Sequence, residues 1–227
     1  MHAAASALAS GAMARGGLEP TDELLAYLAR YGARTDEALE RVRAETAVMP
    51  LAQMQVAPDQ GALTELLVRL IGAKDALEVG TFTGYSAICI ARGLADGGRL
   101  TCLEMSEDFA ATAQRNLEAA GVADRVEIRI GPAAESLAAM AATPTYDFAF
   151  IDADKPGYPE YYELVLPRMR PGGLVLLDNM LQGGDVVSPD SEHARVIDDL
   201  NRKVHADERV DMAMTISADG LTFVRVR

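Results

Sequence analysis

Tryptophan is absent from the chain, cysteine occurs only at Cys89 and Cys102, and histidine only at His2, His193 and His205. Both cysteines sit inside apolar runs, where a free thiol behaves as a small buried hydrophobe; that pattern offers no zinc site and suits a reducing compartment, the cytoplasm. No apolar run approaches the roughly 18 residues that a membrane helix needs, so no membrane partner is expected. No G-x-S-x-G segment is present to build a serine nucleophile elbow. Positive charge is scarce as well, with 21 Lys+Arg against 34 Asp+Glu. A phosphate backbone is repelled by that balance, which excludes nucleic acid as a natural partner. Residues 1–20, rich in Ala, Ser and Gly and without a basic n-region, read as a flexible tail and not as a secretory signal.

What is present is a 49% hydrophobic chain of 227 residues, enough for one well-buried domain over 21–227. Two helices, Thr21 to Arg34 and Asp36 to Val48, each opened by a capping Thr or Asp, form a helical cap over 21–58, with Pro50 and Pro58 breaking the chain after them. From residue 59 onward helical and β-rich runs alternate, the pattern of parallel βαβ units. Leu63, Leu66, Leu67, Leu70 and Ile71 mark the buried face of a helix between Gly61 and Gly72. Strands are expected at Ala76–Gly80, Arg99–Glu104, Arg125–Ile130, Tyr146–Asp152 and Gly173–Asp178, with helices between them and a further helix at Glu192–His205. Met212–Ser217 and Leu221–Arg227 read as a hairpin turning at Asp219-Gly220. The fold class is therefore α/β: a Rossmann-like, doubly wound, mostly parallel seven-stranded sheet with an antiparallel C-terminal hairpin and an N-terminal helical cap.

In such sheets ligands bind beyond the carboxyl ends of the strands, where strand order reverses. The run Leu77-Glu78-Val79-Gly80-Thr81-Phe82-Thr83-Gly84-Tyr85-Ser86 ends a strand and opens a helix. Its Gly-x-x-x-Gly turn is wider than a diphosphate cradle and leaves room for an amino-acid moiety. Glu104 ends the second strand about 20 residues after Gly84, the spacing at which an acid chelates ribose hydroxyls. An ordinary β-turn-α connection explains the glycines alone; together with the acid they point to an adenosine-type ligand. Glu78 either reaches a ligand ammonium or only caps local backbone.

Ile151-Asp152-Ala153-Asp154-Lys155 and Leu177-Asp178-Asn179 each close an apolar strand. If the two strands are neighbours, about 4.8 Å apart, Asp152 and Asp178 enter one crevice, and their mutual repulsion calls for a hard dication. Two carboxylates and the Asn179 amide oxygen leave about three octahedral positions open, the usual way Mg²⁺ is held, so that the ion can clamp two adjacent hydroxyls. Lys155 is the candidate base for the proton. The plainer reading makes Asp152, Asp178 and Asn179 strand-end caps and turn formers, and Asp154 is expected to stand behind the site or in solvent.

At these residues the sequence resembles the cation-dependent small-molecule O-methyltransferases, the family of catechol O-methyltransferase and caffeoyl-CoA O-methyltransferase. The motifs are Glu-Val-Gly-Thr-Phe-Thr-Gly-Tyr-Ser at 78–86, Ile-Asp-Ala-Asp-Lys at 151–155 and Leu-Asp-Asn at 177–179, and the likeness runs from about Gln53 to the C-terminus. It implies S-adenosylmethionine as cofactor, Mg²⁺ or another divalent ion such as Mn²⁺ or Ca²⁺ on Asp152, Asp178 and Asn179, Lys155 as base and Glu104 on the ribose. It also implies that Met54, Val56, Glu78, Gly80, Tyr85 and Ser86 surround the methionine part, that Ala134, Asp152 and Ala153 line the adenine and sulfonium region, and that the protein is a homodimer acting on a small catechol-type acceptor. The chain departs from that pattern after Asn179, where relatives often place a Trp in the acceptor wall. Tyr158, Tyr161 and Met180 are candidates for that wall or for plain core, and the histidines are expected to be dispensable because none ends a strand. Two rivals remain open: a nicotinamide-dependent oxidoreductase, which leaves the acid pair unexplained, and a non-catalytic S-adenosylmethionine-binding module.

Overall fold

The computed structural model describes residues 21–227; the stretch 1–20, read as a tail, lies outside the described residues. Two compact units divide the chain at 33/34, inside the stretch 21–58 read as a helical cap. In the first, α1 (Asp22–Tyr31) starts after Thr21, whose hydroxyl accepts the Leu24 N–H, and the Tyr27 and Tyr31 rings lie one turn apart with centroids at 4.8 Å and planes tilted by 48°. The second unit begins with α2 (Glu37–Ala47), capped by Asp36, which accepts the Leu39 N–H at 3.0 Å; Leu39, Val42 and Thr46 are its buried positions.

Pro58, expected only to break the chain, instead opens α3 (Pro58–Leu70) at its first position. The reason is local: an N1 residue has no intrahelical partner for its N–H, so proline costs nothing there and its fixed φ favours the turn. The remaining elements alternate as β1 (Asp75–Val79), α4 (Tyr85–Gly93), β2 (Arg99–Glu104), α5 (Glu107–Ala119), β3 (Val126–Ile130), α6 (Ala133–Ala139), β4 (Tyr146–Ile151), α7 (Tyr158–Val165), β5 (Met169–Leu177), α8 (Glu192–Ala206), β6 (Val210–Thr215) and β7 (Leu221–Val226). Prolines shape two further boundaries. α7 ends at Val165 and passes into a short 3-10 turn that holds Pro167, and β5 starts four residues earlier than expected, running through Pro171 where its only early pairing is Tyr146↔Met169.

The seven strands are ordered β3-β2-β1-β4-β5-β7-β6. β1 to β5 are parallel, and β7 runs antiparallel between β5 and β6. The chain steps outward from β1 to β3 and returns to lay β4 on the other side of β1, so strand order reverses at the β1/β4 seam. That seam is where the carboxyl ends splay and leave a crevice.

Alternation along each strand separates two cores. Ala76, Leu100, Cys102, Phe148, Phe150 and Leu176 face α2, α3 and α4, while Leu77, Val79, Ala149, Ile151, Val175 and Leu177 face α6, α7 and α8. Phe148 and Phe150 are fully buried, and each contributes about 2–3 kcal/mol of apolar burial. Among the described residues no helix is long and apolar enough to cross a membrane.

Candidate active site

At the end of β1 the backbone turns through Gly80, with φ at 90°, and its N–H donates to Leu103 O of β2 at 2.9 Å. A side chain at Gly80 would overlap the Asp152 carbonyl oxygen, so glycine is what lets the β1 and β4 ends approach each other. Gly84, also at φ 90°, caps α4, and the intervening loop is tied down by its neighbours: Thr46 Oγ1 donates to Thr83 Oγ1 at 2.8 Å and Asn116 Nδ2 to Thr83 O at 3.0 Å.

Glu104 closes β2 beside this loop. One carboxylate oxygen accepts the N–H groups of Thr81 (3.0 Å) and Phe82 (2.8 Å), and the other accepts that of Ser106 (2.9 Å). It thus shapes the glycine loop while lining the cavity. Phe82, at φ 49°, packs edge-on against Phe109 with centroids 4.7 Å apart.

β4 and β5 are hydrogen-bonded neighbours with Ile151 opposite Leu177, so Asp152 and Asp178 leave the sheet side by side. Backbone bonds fix both: Asp152 N donates to Val79 O at 2.8 Å and Asp178 N to Ile151 O at 3.1 Å. The Asp178 carboxylate is nearly inaccessible and accepts from Gln60 Nε2 at 2.6 Å and from Asn179 N at 2.7 Å. Burial raises the pKa of Asp178; burial and then the charge of Asp178 raise that of Asp152. Lys155 sits between these acids and a tyrosine, its Nζ donating to Tyr158 Oη at 2.6 Å, Ala153 O at 3.1 Å and, more loosely, Asp152 Oδ1 at 3.5 Å. Tyr158 Oη in turn lies 3.2 Å from Ile151 O and 3.1 Å from Asp178 O, which spans the two strand ends. Asp154 caps the short turn that follows, accepting from Gly157 N at 3.1 Å and from Tyr161 Oη at 2.6 Å.

One cavity of about 800 Å³ joins these features. Met54, Val56, Gly80, Tyr85 and Ser86 line its glycine-loop side with Glu104, and Asp152, Ala153, Lys155, Asp178 and Asn179 line the other end. Two expected residues stand apart. Glu78 is wholly buried behind the wall, accepting from Cys102 Sγ at 3.3 Å with its second oxygen lacking a partner, and burial pushes its pKa up to about 7. Ala133, one residue before the expected Ala134, is the position on the wall. Of the acceptor-wall candidates Tyr161 lines the cavity, whereas Tyr158 and Met180 are fully buried.

Sequence reasoning missed Gln60, Phe82, Phe109, His193 and Asp219, all of which reach the wall. Gln60 carried a signal, a polar residue at a buried position of an amphipathic helix. His193 stands in the first turn of α8, so a rule confined to strand ends overlooks it. A second depression, lined by Asp36, Arg41, Arg92 and Ala119 among others, holds the Arg92–Asp36 ion pair at 2.7 Å and gathers no nucleophile.

No three His, Cys, Asp or Glu side chains among the described residues form a metal cluster by themselves. The donor set here is mixed, two carboxylates and one amide. Its chemistry fits a hard dication: every donor is oxygen, and each carboxylate oxygen of Asp178 keeps a lone pair beyond its present bond.

Comparison with known proteins agrees with the fold. Residues 30–227 match the sequence pattern of the family described as O-methyltransferase. An O-methyltransferase of Bacillus cereus, solved in complex with SAH, superposes with a TM-score of 0.82 at 37% identity, covering 89% of this chain and 96% of that one. TomG of Streptomyces achromogenes, an O-methyltransferase involved in tomaymycin synthesis and solved with SAM, gives a TM-score of 0.79 at 34% identity over 88% of this chain and 94% of its own. Caffeoyl-CoA O-methyltransferase 2 of Zea mays is 33% identical over 219 residues, 90% of this chain and 83% of the maize protein.

Proposed function

The chain belongs to the O-methyltransferase family, and from that premise we propose that it transfers a methyl group from S-adenosylmethionine to a hydroxyl oxygen of a vicinal-dihydroxy aromatic, a catechol-type small molecule, with divalent-cation assistance. The observation that carries this reading is the register of β4 on β5, which sets Asp152 and Asp178 side by side at one end of a cavity whose other end is the glycine loop. The solved relatives that hold SAH and SAM support the cofactor.

Each role follows from the residues. Gly80 and Gly84 let the backbone approach an amino-acid moiety, and Tyr85, Ser86, Met54 and Val56 enclose it. Glu104, with three backbone donors already fixing its orientation, presents its remaining lone pairs to ribose hydroxyls. S-adenosylmethionine supplies an activated methyl on a sulfonium. Asp152, Asp178 and Asn179 would hold Mg²⁺, or Mn²⁺ or Ca²⁺ in its place, and a dication there offsets the repulsion of the acids and makes a nearby catechol hydroxyl more acidic. Lys155, steadied by Tyr158 and Ala153 O, is placed to take the hydroxyl proton at Nζ. The walls then hold the oxygen in line with the methyl, and approach geometry supplies much of the rate. The same reading includes a cytoplasmic location and a homodimer, and sedimentation of the purified protein tests the latter.

A methyl-transfer assay with isotopically labelled cofactor over a panel of vicinal diphenols decides the matter. Transfer is expected with Mg²⁺ and is expected to vanish in EDTA. Full activity in chelator refutes the cation, and cofactor binding without transfer to any diphenol leaves only a binding module.

A further inference from the structure

The end of the cavity beyond the glycine loop is short of positive charge. Lys155 is the only lysine or arginine among the described residues that line it, and its ammonium already faces Asp152, Ala153 O and Tyr158. Asp152, Asp154, Asp178 and Asp219 stand at the same end. A dication on the first and third of these offsets two carboxylates, and Lys155 offsets at most one more once it holds a proton, which leaves the end net negative in either case. The chain as a whole adds a field of the same sign, with a formal net charge of −13.

Asp219 is the acid that no step of the proposed transfer uses. It sits in the β6–β7 turn, between Ala218 at φ 52° and Gly220 at φ 87°. Its carbonyl accepts the Leu181 N–H at 2.9 Å, and its Oδ1 accepts the Gly183 N–H at 2.6 Å, so the turn is clasped to the loop that follows Asn179. Its Oδ2 takes no hydrogen bond from the described residues, and the residue belongs to the cavity wall. It lies close enough to Asp178 for its charge to disfavour ionisation there. A carboxylate fixed through one oxygen on the wall of a ligand cavity discriminates by charge.

We propose that the acceptor end selects catechols by charge, taking neutral and cationic ones and rejecting anionic ones, acyl-CoA thioesters included, with Asp219 as the discriminating residue. This rests on the catechol reading above and departs from what the maize relative's name says of its own substrate. A CoA thioester brings a diphosphate and a further phosphate, which protein sites meet with Arg and Lys forks; no arginine lines this cavity among the described residues. One unit charge at about 7 Å in an effective dielectric of about 40–80 changes an equilibrium by roughly 3- to 8-fold, so opposite charges on otherwise equal acceptors diverge by about tenfold or more.

The test uses the full chain with Mg²⁺ and S-adenosylmethionine and compares kcat/KM for dopamine, 4-ethylcatechol and 3,4-dihydroxyphenylacetate, which share a ring and differ in the charge of a short tail. Caffeoyl-CoA is compared with methyl caffeate in the same way. At low salt dopamine is expected to exceed dihydroxyphenylacetate by about tenfold or more and 4-ethylcatechol to exceed it by roughly 3- to 8-fold, methyl caffeate to exceed caffeoyl-CoA, and added KCl to narrow these gaps. Asp219→Asn keeps an oxygen for the Gly183 N–H and is expected to cut the dopamine to dihydroxyphenylacetate ratio by about fivefold; Asp219→Lys is expected to invert it. Binding of S-adenosylhomocysteine by each variant establishes that the fold is intact. Equal turnover of caffeoyl-CoA and methyl caffeate overturns the proposal, and an unchanged ratio in both variants removes Asp219 from it. Failure to methylate any of the five compounds overturns the catechol reading itself, and the charge rule with it.

Discussion

Gln60 and Asp178, 118 positions apart in sequence, meet inside the protein, the Gln60 amide donating to Asp178 Oδ2 at 2.6 Å. The first turn of α3 thereby sets the rotamer of an acid at the end of β5. Groups that orient a metal ligand affect affinity without touching the ion. Gln60→Leu is expected to weaken Mg²⁺ activation by about 10- to 100-fold while leaving S-adenosylhomocysteine affinity in place; a metal titration of activity beside calorimetry of cofactor binding reads both.

Removal of Asp178 itself acts on the same half of the site. Asp178→Ala is expected to abolish cation-dependent turnover with the cofactor still bound, because the glycine loop and Glu104 are independent of it. An unchanged rate shows that the acid has no part in the chemistry.

Lys155 and Tyr158 form a pair, with Nζ also 4.3 Å from the ring centre. Lys155→Met is expected to lower kcat by about 10²–10⁴-fold, the usual range for a positioned base, with little change in cofactor affinity. Tyr158→Phe keeps the ring and loses the 2.6 Å bond, so a smaller fall, confined to kcat, is expected. Steady-state kinetics that instead show only a raised KM contradict both assignments.

Glu78 makes stability depend on pH. Burial raises its pKa from 4.5 to about 7, so the folded protein binds this proton more tightly than the unfolded chain. The contribution is complete below about pH 4.5 and is lost as pH rises through about 7, a change of about 3 kcal/mol at most. Glu78→Gln is expected to flatten that dependence. Compared by thermal melting without cofactor or metal, the variant gains on the parent between pH 5 and 8; parallel curves refute the assignment.

Gly80→Ala is expected to destabilise the protein by about 3 kcal/mol or more, since φ of 90° strains any side chain and the Asp152 carbonyl occupies the space. Denaturant melts measure it.

Much of this site was legible from residues at strand ends. Asp152, Asp178 and Glu104 each follow an apolar run, and a parallel sheet delivers such residues to one edge whatever the details of packing. Gln60 and His193 were not legible in the same way, because each arrives on a helix whose rotation about its axis is set by long-range packing. Asp219 was seen only as a turn former, since nothing local tells which loop a hairpin tip will touch. Glu78 stood between two readings, and its place behind the wall follows from the alternation of β1: it shares a face with Ala76, opposite to Leu77 and Val79. The early start of β5 was hidden by Pro171 and two glycines, which read as loop until Tyr146 supplies a pairing partner.

β7 lies within the sheet, hydrogen-bonded to β5 on one side and β6 on the other, and its turn grips the segment after Asn179 through Met180 N to Gly220 O at 2.8 Å. A nascent chain can therefore make its first five strands and both strand-end acids and still lack one side of the reaction chamber. Synthesis through β7 is what completes the enclosure, and a chain ending before residue 221 leaves the β5 edge unpaired, the kind of open edge that invites self-association.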